Sequence, residues 1–223
     1  MNKLHVYGCS YTYGNGCLPV DPYFIKYKKT EDDLIWPEIV ANEIGYKLYN
    51  YGMGAISNDI ILDNMIETFD MISEGDIVII QKTFTHRFDI APTRKKNQPY
   101  IRQFLTITPN SEEALQYEKY DSSEIESILY NTWLMDNELN DIRVDNRFNF
   151  FKKLFLLKGV KKCISWDVVK HIDKNVYERI QEATDNKIVD AHWSYSGHRE
   201  FSKVILNKLY QEPLETAFKA KLI

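Results

Sequence analysis

Several common protein classes are excluded by what this chain has little of. It carries three cysteines, Cys9, Cys17 and Cys163, in 223 residues. Two of them could pair, but three make no disulfide framework and match no metal motif, so a reducing compartment is the simpler reading. No apolar run reaches membrane-spanning length and no signal peptide precedes the first strand. Synthesis in a cytoplasm is therefore expected, with later release as part of a virus particle left open. Excess positive charge is also missing. The formal net charge is −4, which removes the electrostatic case for nucleic acid or anionic membrane as a partner. The basic run Arg94, Lys95, Lys96 reads as a solvated loop, as does the acidic run Glu31, Asp32, Asp33. There are no internal repeats, no low-complexity segment and no His/Cys/Asp/Glu cluster with metal-ligand spacing.

The length suits one domain with a full core. A hydrophobic content of 44% with 27% charged residues is ordinary for a soluble globular protein. The 15 Tyr, 11 Phe and 4 Trp supply flat amphipathic faces, suited to core packing and to stacking on sugar rings.

Periodicity gives the architecture. Residues 3–8, KLHVYG, read as a short buried strand. Residues 34–45 carry apolar positions at helical spacing with a closing glycine, and residues 46–50 read as a second strand. Residues 57–73 open with a Ser/Asn cap and continue as an amphipathic helix. The stretch GDIVIIQ, residues 75–81, is a continuous apolar run of the kind buried on both faces of a parallel sheet. Residues 160–166 form a fourth strand, 187–190 a fifth, and 196–210 a closing helix. The alternation predicts a single-domain, three-layer α/β/α sandwich with a five-stranded parallel sheet and right-handed crossovers. Residues 88–150 break the rhythm and are too long for a plain connection. They read as an insertion plus one crossover helix, placed near the strand ends as a wall of the substrate cleft, where Tyr100, Phe104, Tyr130 and Trp133 would lie.

The stretch VYGCSYTYGNG, residues 6–16, follows the first strand, where open α/β sheets bind ligands. Ser10, Thr12, Gly14 and Asn15 suit a phosphate loop, as in an FMN-binding flavodoxin-like protein, but the following CLPVDPYF does not start a clean helix. A nucleophile needs a Ser on such a turn together with a His and an acid elsewhere. A plain turn built by Gly8, Ser10 and Gly14 is the third reading. Near the other end, VDAHWSYSGHREFSKVI places Asp190 and His192 after the fifth strand. That returns a histidine to the strand ends with a carboxylate beside it to fix its tautomer.

At these residues the chain resembles the SGNH/GDSL hydrolases, serine esterases and lipases with a flavodoxin-like fold, from Tyr7 to about Leu209 with the insertion unmatched. GCSYT resembles the first block, G-D-S-L-[ST], with Ser10 at the nucleophile and Cys9 where the family has Asp. NYGMGAISND, residues 50–59, resembles the second block, with Gly54 as the oxyanion-hole glycine and Gly52 as the alternative. DAHWSYSGH resembles the last block, with His192 as base and Asp190 as its partner; its Asp-x-His-Trp form is similar to polysaccharide O-acetyl-transferring relatives. The third block, G-x-N-D, falls on TFTH, where Thr85 stands at the oxyanion Asn and Thr83 is the alternative.

The resemblance implies hydrolysis of an ester, an O-acetyl group on a carbohydrate, by a Ser10–His192–Asp190 triad. The oxyanion hole would be made by the N–H groups of Ser10 and Gly54 with Thr85. No cofactor is required, and the partner is a small-molecule or glycan ester. Tyr11, His86, Arg87 and Trp193 are the candidate substrate-binding residues, with His86 equally readable as a surface residue and Arg87 as a carboxylate partner. Asp167, after the fourth strand, is an alternative acid. His5 reads as structural, His198 as packing or capping, and Ser57 with Asn58 as a helix cap. The altered third block keeps open a binding or structural module that has lost turnover, for instance a virion or glycan-binding component. An acyltransferase and an FMN binder also remain open. The sequence leaves the oligomeric state undetermined.

Overall fold

A computed structural model describes residues 1–14, 34–54, 56–84, 88–90, 105–107, 137–167, 193 and 195–211. Four parallel strands form the main sheet: β1 (Lys3–Gly8), β2 (Lys47–Gly52), β3 (Ile77–Lys82) and β6 (Lys162–Asp167), in the order β2-β1-β3-β6. The helices are α1 (Ser10–Tyr13), α2 (Trp36–Ile44), α3 (Asn58–Glu67), α4 (Asn137–Leu157) and α5 (Tyr195–Gln211). The α/β class and the layered parallel sheet expected from the sequence are both present. The parallel sheet has four strands among the described residues where five were expected; residues 187–190 lie outside them. No helix among the described residues is long and apolar enough to cross a membrane.

β3 is buried along its whole length, because it lies between β1 and β6 and both of its faces are covered. One face packs Tyr7, Val78, Ile80 and Cys163 against Ile61 and Met65 of α3 and Phe148 and Phe155 of α4. The other packs Leu4, Val6, Ile77 and Ile79 against Trp36 and Val40 of α2, Phe201 and Ile205 of α5, and Trp193. The alternation of inward residues along each strand feeds these two cores. Chain advance reverses direction after β2, and the connecting helices change face with it, as a single handedness of crossover requires. The carboxyl ends of β1 and β3 thus flank a topological switch point, the usual ligand position in such sheets.

Ser57 caps α3, its Oγ accepting from the N–H groups of Asp59 at 3.1 Å and Ile60 at 3.4 Å. Ser57→Ala should lower stability by about 1 kcal/mol, the usual worth of such a cap, measurable by chemical denaturation. The helix expected over 57–73 stops at Glu67 and gives way to a 3₁₀ turn, Phe69–Met71. Thr68 marks the break: its hydroxyl donates back to the Asn64 carbonyl at 2.6 Å and meets the Tyr7 hydroxyl, the kind of local bond that competes with helix continuation.

Within the stretch 88–150, the sequence reading missed a two-stranded antiparallel pair, β4 (Phe88–Ile90) with β5 (Leu105–Ile107). Strands of three residues are too short to leave an alternation signal. The crossover helix α4 begins inside that stretch and runs past its end, packing on the sheet as a core element. Tyr100, Phe104, Tyr130 and Trp133 lie outside the described residues.

Candidate active site

Ser10 is the first residue of α1, immediately beyond the central strand β1, and is 3% exposed. The loop is neither a long phosphate-binding helix start nor a bare turn. It is a single helical turn closed by Gly14 in the left-handed conformation (φ 86°). One turn of helix is not self-supporting, so its position must come from its neighbours, and three elements supply it. From β3, Gln81 accepts a hydrogen bond from the Thr12 hydroxyl and donates to Cys9 Sγ at 2.9 Å. From β2, Asn50 Nδ2 donates to the Thr12 carbonyl at 3.0 Å. From α2, Trp36 Nε1 donates to the Tyr11 carbonyl at 3.1 Å. The Ser10 hydroxyl lies 3.9 Å from Cys9 Sγ, a separation at which a hydrogen bond is weak.

The second block closes against this turn. Met53 N–H donates to the Gly8 carbonyl at 3.1 Å. Gly52 is forced by close approach: a Cβ there would stand 2.6 Å from the Tyr13 backbone nitrogen. Its N–H already donates to Asn50 Oδ1 at 2.9 Å. Gly54 lies two residues on, in the turn beyond β2.

Beyond β3, Asn58 grips the third block with both ends of its amide. Thr83 N–H donates to Asn58 Oδ1 at 2.9 Å, and Asn58 Nδ2 donates to the Thr83 carbonyl at 3.0 Å. Asn58 therefore does more than open α3. Lys82, 6% exposed, pairs with Asp145 of α4 and lies 3.9 Å from Asp167, its register partner on β6. Asp167, the alternative acid, is thus a buried carboxylate facing an ammonium.

Tyr11 is half-buried, with its ring 4.8 Å from that of Trp193. Trp193 is 1% exposed and packs against Trp166 and Phe201. It is a core residue here, with almost no surface open to a sugar. His198 is buried and accepts from the Trp36 N–H at 3.4 Å through Nδ1, which makes it a cap for α2 from another helix. Asp190, His192, Thr85, His86 and Arg87 lie outside the described residues, so of the expected triad the structure describes only Ser10 and the side chains that hold its turn. Cys163, on the opposite side of β3 from Ser10, is an inert thiol whose pKa burial pushes up to about 12.

Among solved structures the fold has a lipolytic neighbour. It is a member of the lipolytic protein G-D-S-L family from Veillonella parvula, 15% identical, with a TM-score of 0.38, covering 95% of this chain and 100% of that chain. A second solved structure is 10% identical with a TM-score of 0.43 and the same coverage. No family model matches the sequence, and no curated protein does.

Gln81, Asn50 and Lys82 carry no role in the sequence reading, and Asn58 only that of a helix cap. For Gln81 and Lys82 a signal was present. Both are polar residues closing a strand whose pattern demands burial on both faces, and a buried polar side chain must have a partner.

Proposed function

We propose that this protein is a serine esterase that removes an acyl group from an ester, with O-acetylated carbohydrate as the substrate class. The observation that supports the reading is the placement of Ser10, at the switch point beyond the central strand, on a turn fixed from three sides. In this reading His192, oriented by Asp190, takes the Ser10 proton as Oγ attacks the acyl carbon. The N–H groups of Ser10 and Gly54, with the Thr85 hydroxyl, receive the oxyanion. The engagement of the Gly52 N–H with Asn50 favours Gly54 for that role. His192 returns the proton to the departing alcohol, and water then releases the acid from the acyl-enzyme.

A fluorophosphonate probe should label Ser10, and acetylated model esters and glycans should be deacetylated. The threonine at the third block supports a second reading, a glycan-binding module that has lost turnover. A protein that stays unlabelled while retaining glycan would establish that reading and overturn the first.

A further inference from the structure

We propose that Gln81 is a positioning residue for the Ser10 nucleophile, acting through a bridge between the residues on either side of it. The inference rests on the esterase reading above. Gln81 is fully buried at the end of β3, beneath α1. One end of its amide takes the Thr12 hydroxyl and the other meets Cys9 Sγ. Cys9 and Thr12 are themselves fully buried. Cys9 is the residue before Ser10 and Thr12 is two after it, so the bridge spans the nucleophile. An amide rotated by half a turn would join the same two residues with donor and acceptor exchanged, so the link survives either assignment.

A second observation points the same way. A Cβ on Gly8 would stand 2.2 Å from Thr12 Oγ1 and 2.6 Å from Gln81 Oε1. Residue 8 is glycine because the bridge occupies the space a side chain would need. The first-block glycine, the Thr two residues beyond Ser10, and Gln81 on β3 form one unit. Asn50 holds the Thr12 carbonyl from β2, so α1 is gripped by a side-chain amide from each strand beside β1. Gln81 has no surface to offer a substrate. Its effect has to travel through the placement of Ser10, and errors of that kind fall on the chemical step.

Gln81→Met keeps a similar shape without either hydrogen bond, and Thr12→Val removes the other end of the bridge. The test is hydrolysis of p-nitrophenyl acetate, normalised to Ser10 sites titrated with a fluorophosphonate. Each variant should lose about 10²-fold in kcat per titrated site with KM within twofold. The double variant should be no worse than either single, because one bridge is lost only once. Thr12→Ser, which keeps the hydroxyl, should hold kcat near wild type. A purely structural role would lower the number of titratable sites and leave the rate per site unchanged, and that result overturns the proposal. So does an additive double variant. If wild-type protein labels and turns over while Gln81→Met matches it, this inference fails and the esterase reading stands. If wild-type protein does neither, both fall.

Discussion

Replacing Ser10 with alanine should abolish ester hydrolysis, by roughly 10⁶-fold in kcat where the wild-type rate is high enough to measure such a loss. The protein should remain folded. Only an oxygen is removed from a residue that is 3% exposed and whose hydroxyl has a weak 3.9 Å contact with Cys9 Sγ. A buried hydroxyl with so poor a partner is a cost to the fold, because little returns the solvation it lost. The variant should therefore be as stable as wild type or more stable, by up to about 1 kcal/mol, the sign expected where a site is kept for function at the expense of stability. Steady-state kinetics and thermal unfolding on the same preparations check both halves. Near-normal turnover in Ser10→Ala would remove Ser10 as nucleophile. A large fall in stability would mean that the hydroxyl is a structural anchor.

The parts of this molecule visible in the sequence are those that depend on near neighbours. The run GDIVIIQ announces a strand covered on both faces, and β3 is buried throughout. The Ser57 cap was readable because its partners lie two and three residues away. The place of Ser10 directly after the first strand is legible in the same way, and it opens α1 there. What escaped are bonds that close across the fold. Gln81 meets Cys9 and Thr12 about seventy positions away in the chain, and Asn58 reaches Thr83 across the end of the sheet. His198 was read as packing or capping, and it does cap a helix, but one 162 residues earlier. Such pairings depend on strand order, which periodicity does not specify. Trp193 shows the opposite error. A tryptophan beside a candidate base invites a role in stacking on substrate, whereas the sequence around it is also the entry to α5, and the ring fills the core under that helix.

The other large effect is expected far from Ser10, at the amino ends of the strands. Asp76 precedes β3 and is 2% exposed. Its Oδ1 accepts the Lys3 N–H at 2.8 Å, and its Oδ2 accepts the Ser73 N–H at 2.9 Å and faces His5 Nε2 at 3.3 Å. The carboxylate ties β1, β3 and the turn before β3 together. Asp76→Ala would leave these donors facing a void. At about 1–3 kcal/mol for each buried group left unsatisfied, the loss should be about 3 kcal/mol or more, a large share of the roughly 5–15 kcal/mol that keeps an ordinary domain folded. His5 adds a pH dependence. It is fully buried on β1, stacked between Tyr49 and Tyr51, with the Tyr51 hydroxyl 3.4 Å from Nδ1. Neutral His5 satisfies both ring nitrogens by donating from Nε2 to Asp76 and accepting at Nδ1 from Tyr51. Burial lowers its pKa below the ordinary 6.5, outweighing the opposite pull of Asp76, and Lys3 and Lys158 add to the lowering. The unfolded chain therefore binds a proton at a higher pH than the folded one. Stability from this group is complete above about pH 6.5 and declines as the pH falls through that value toward the lower folded pKa. Denaturation midpoints taken from pH 7.5 down to 5.5 should fall in wild type, and His5→Phe, which has no ring proton to gain, should fall less steeply over the same range. Equal slopes in the two proteins would show that His5 is not the group being titrated.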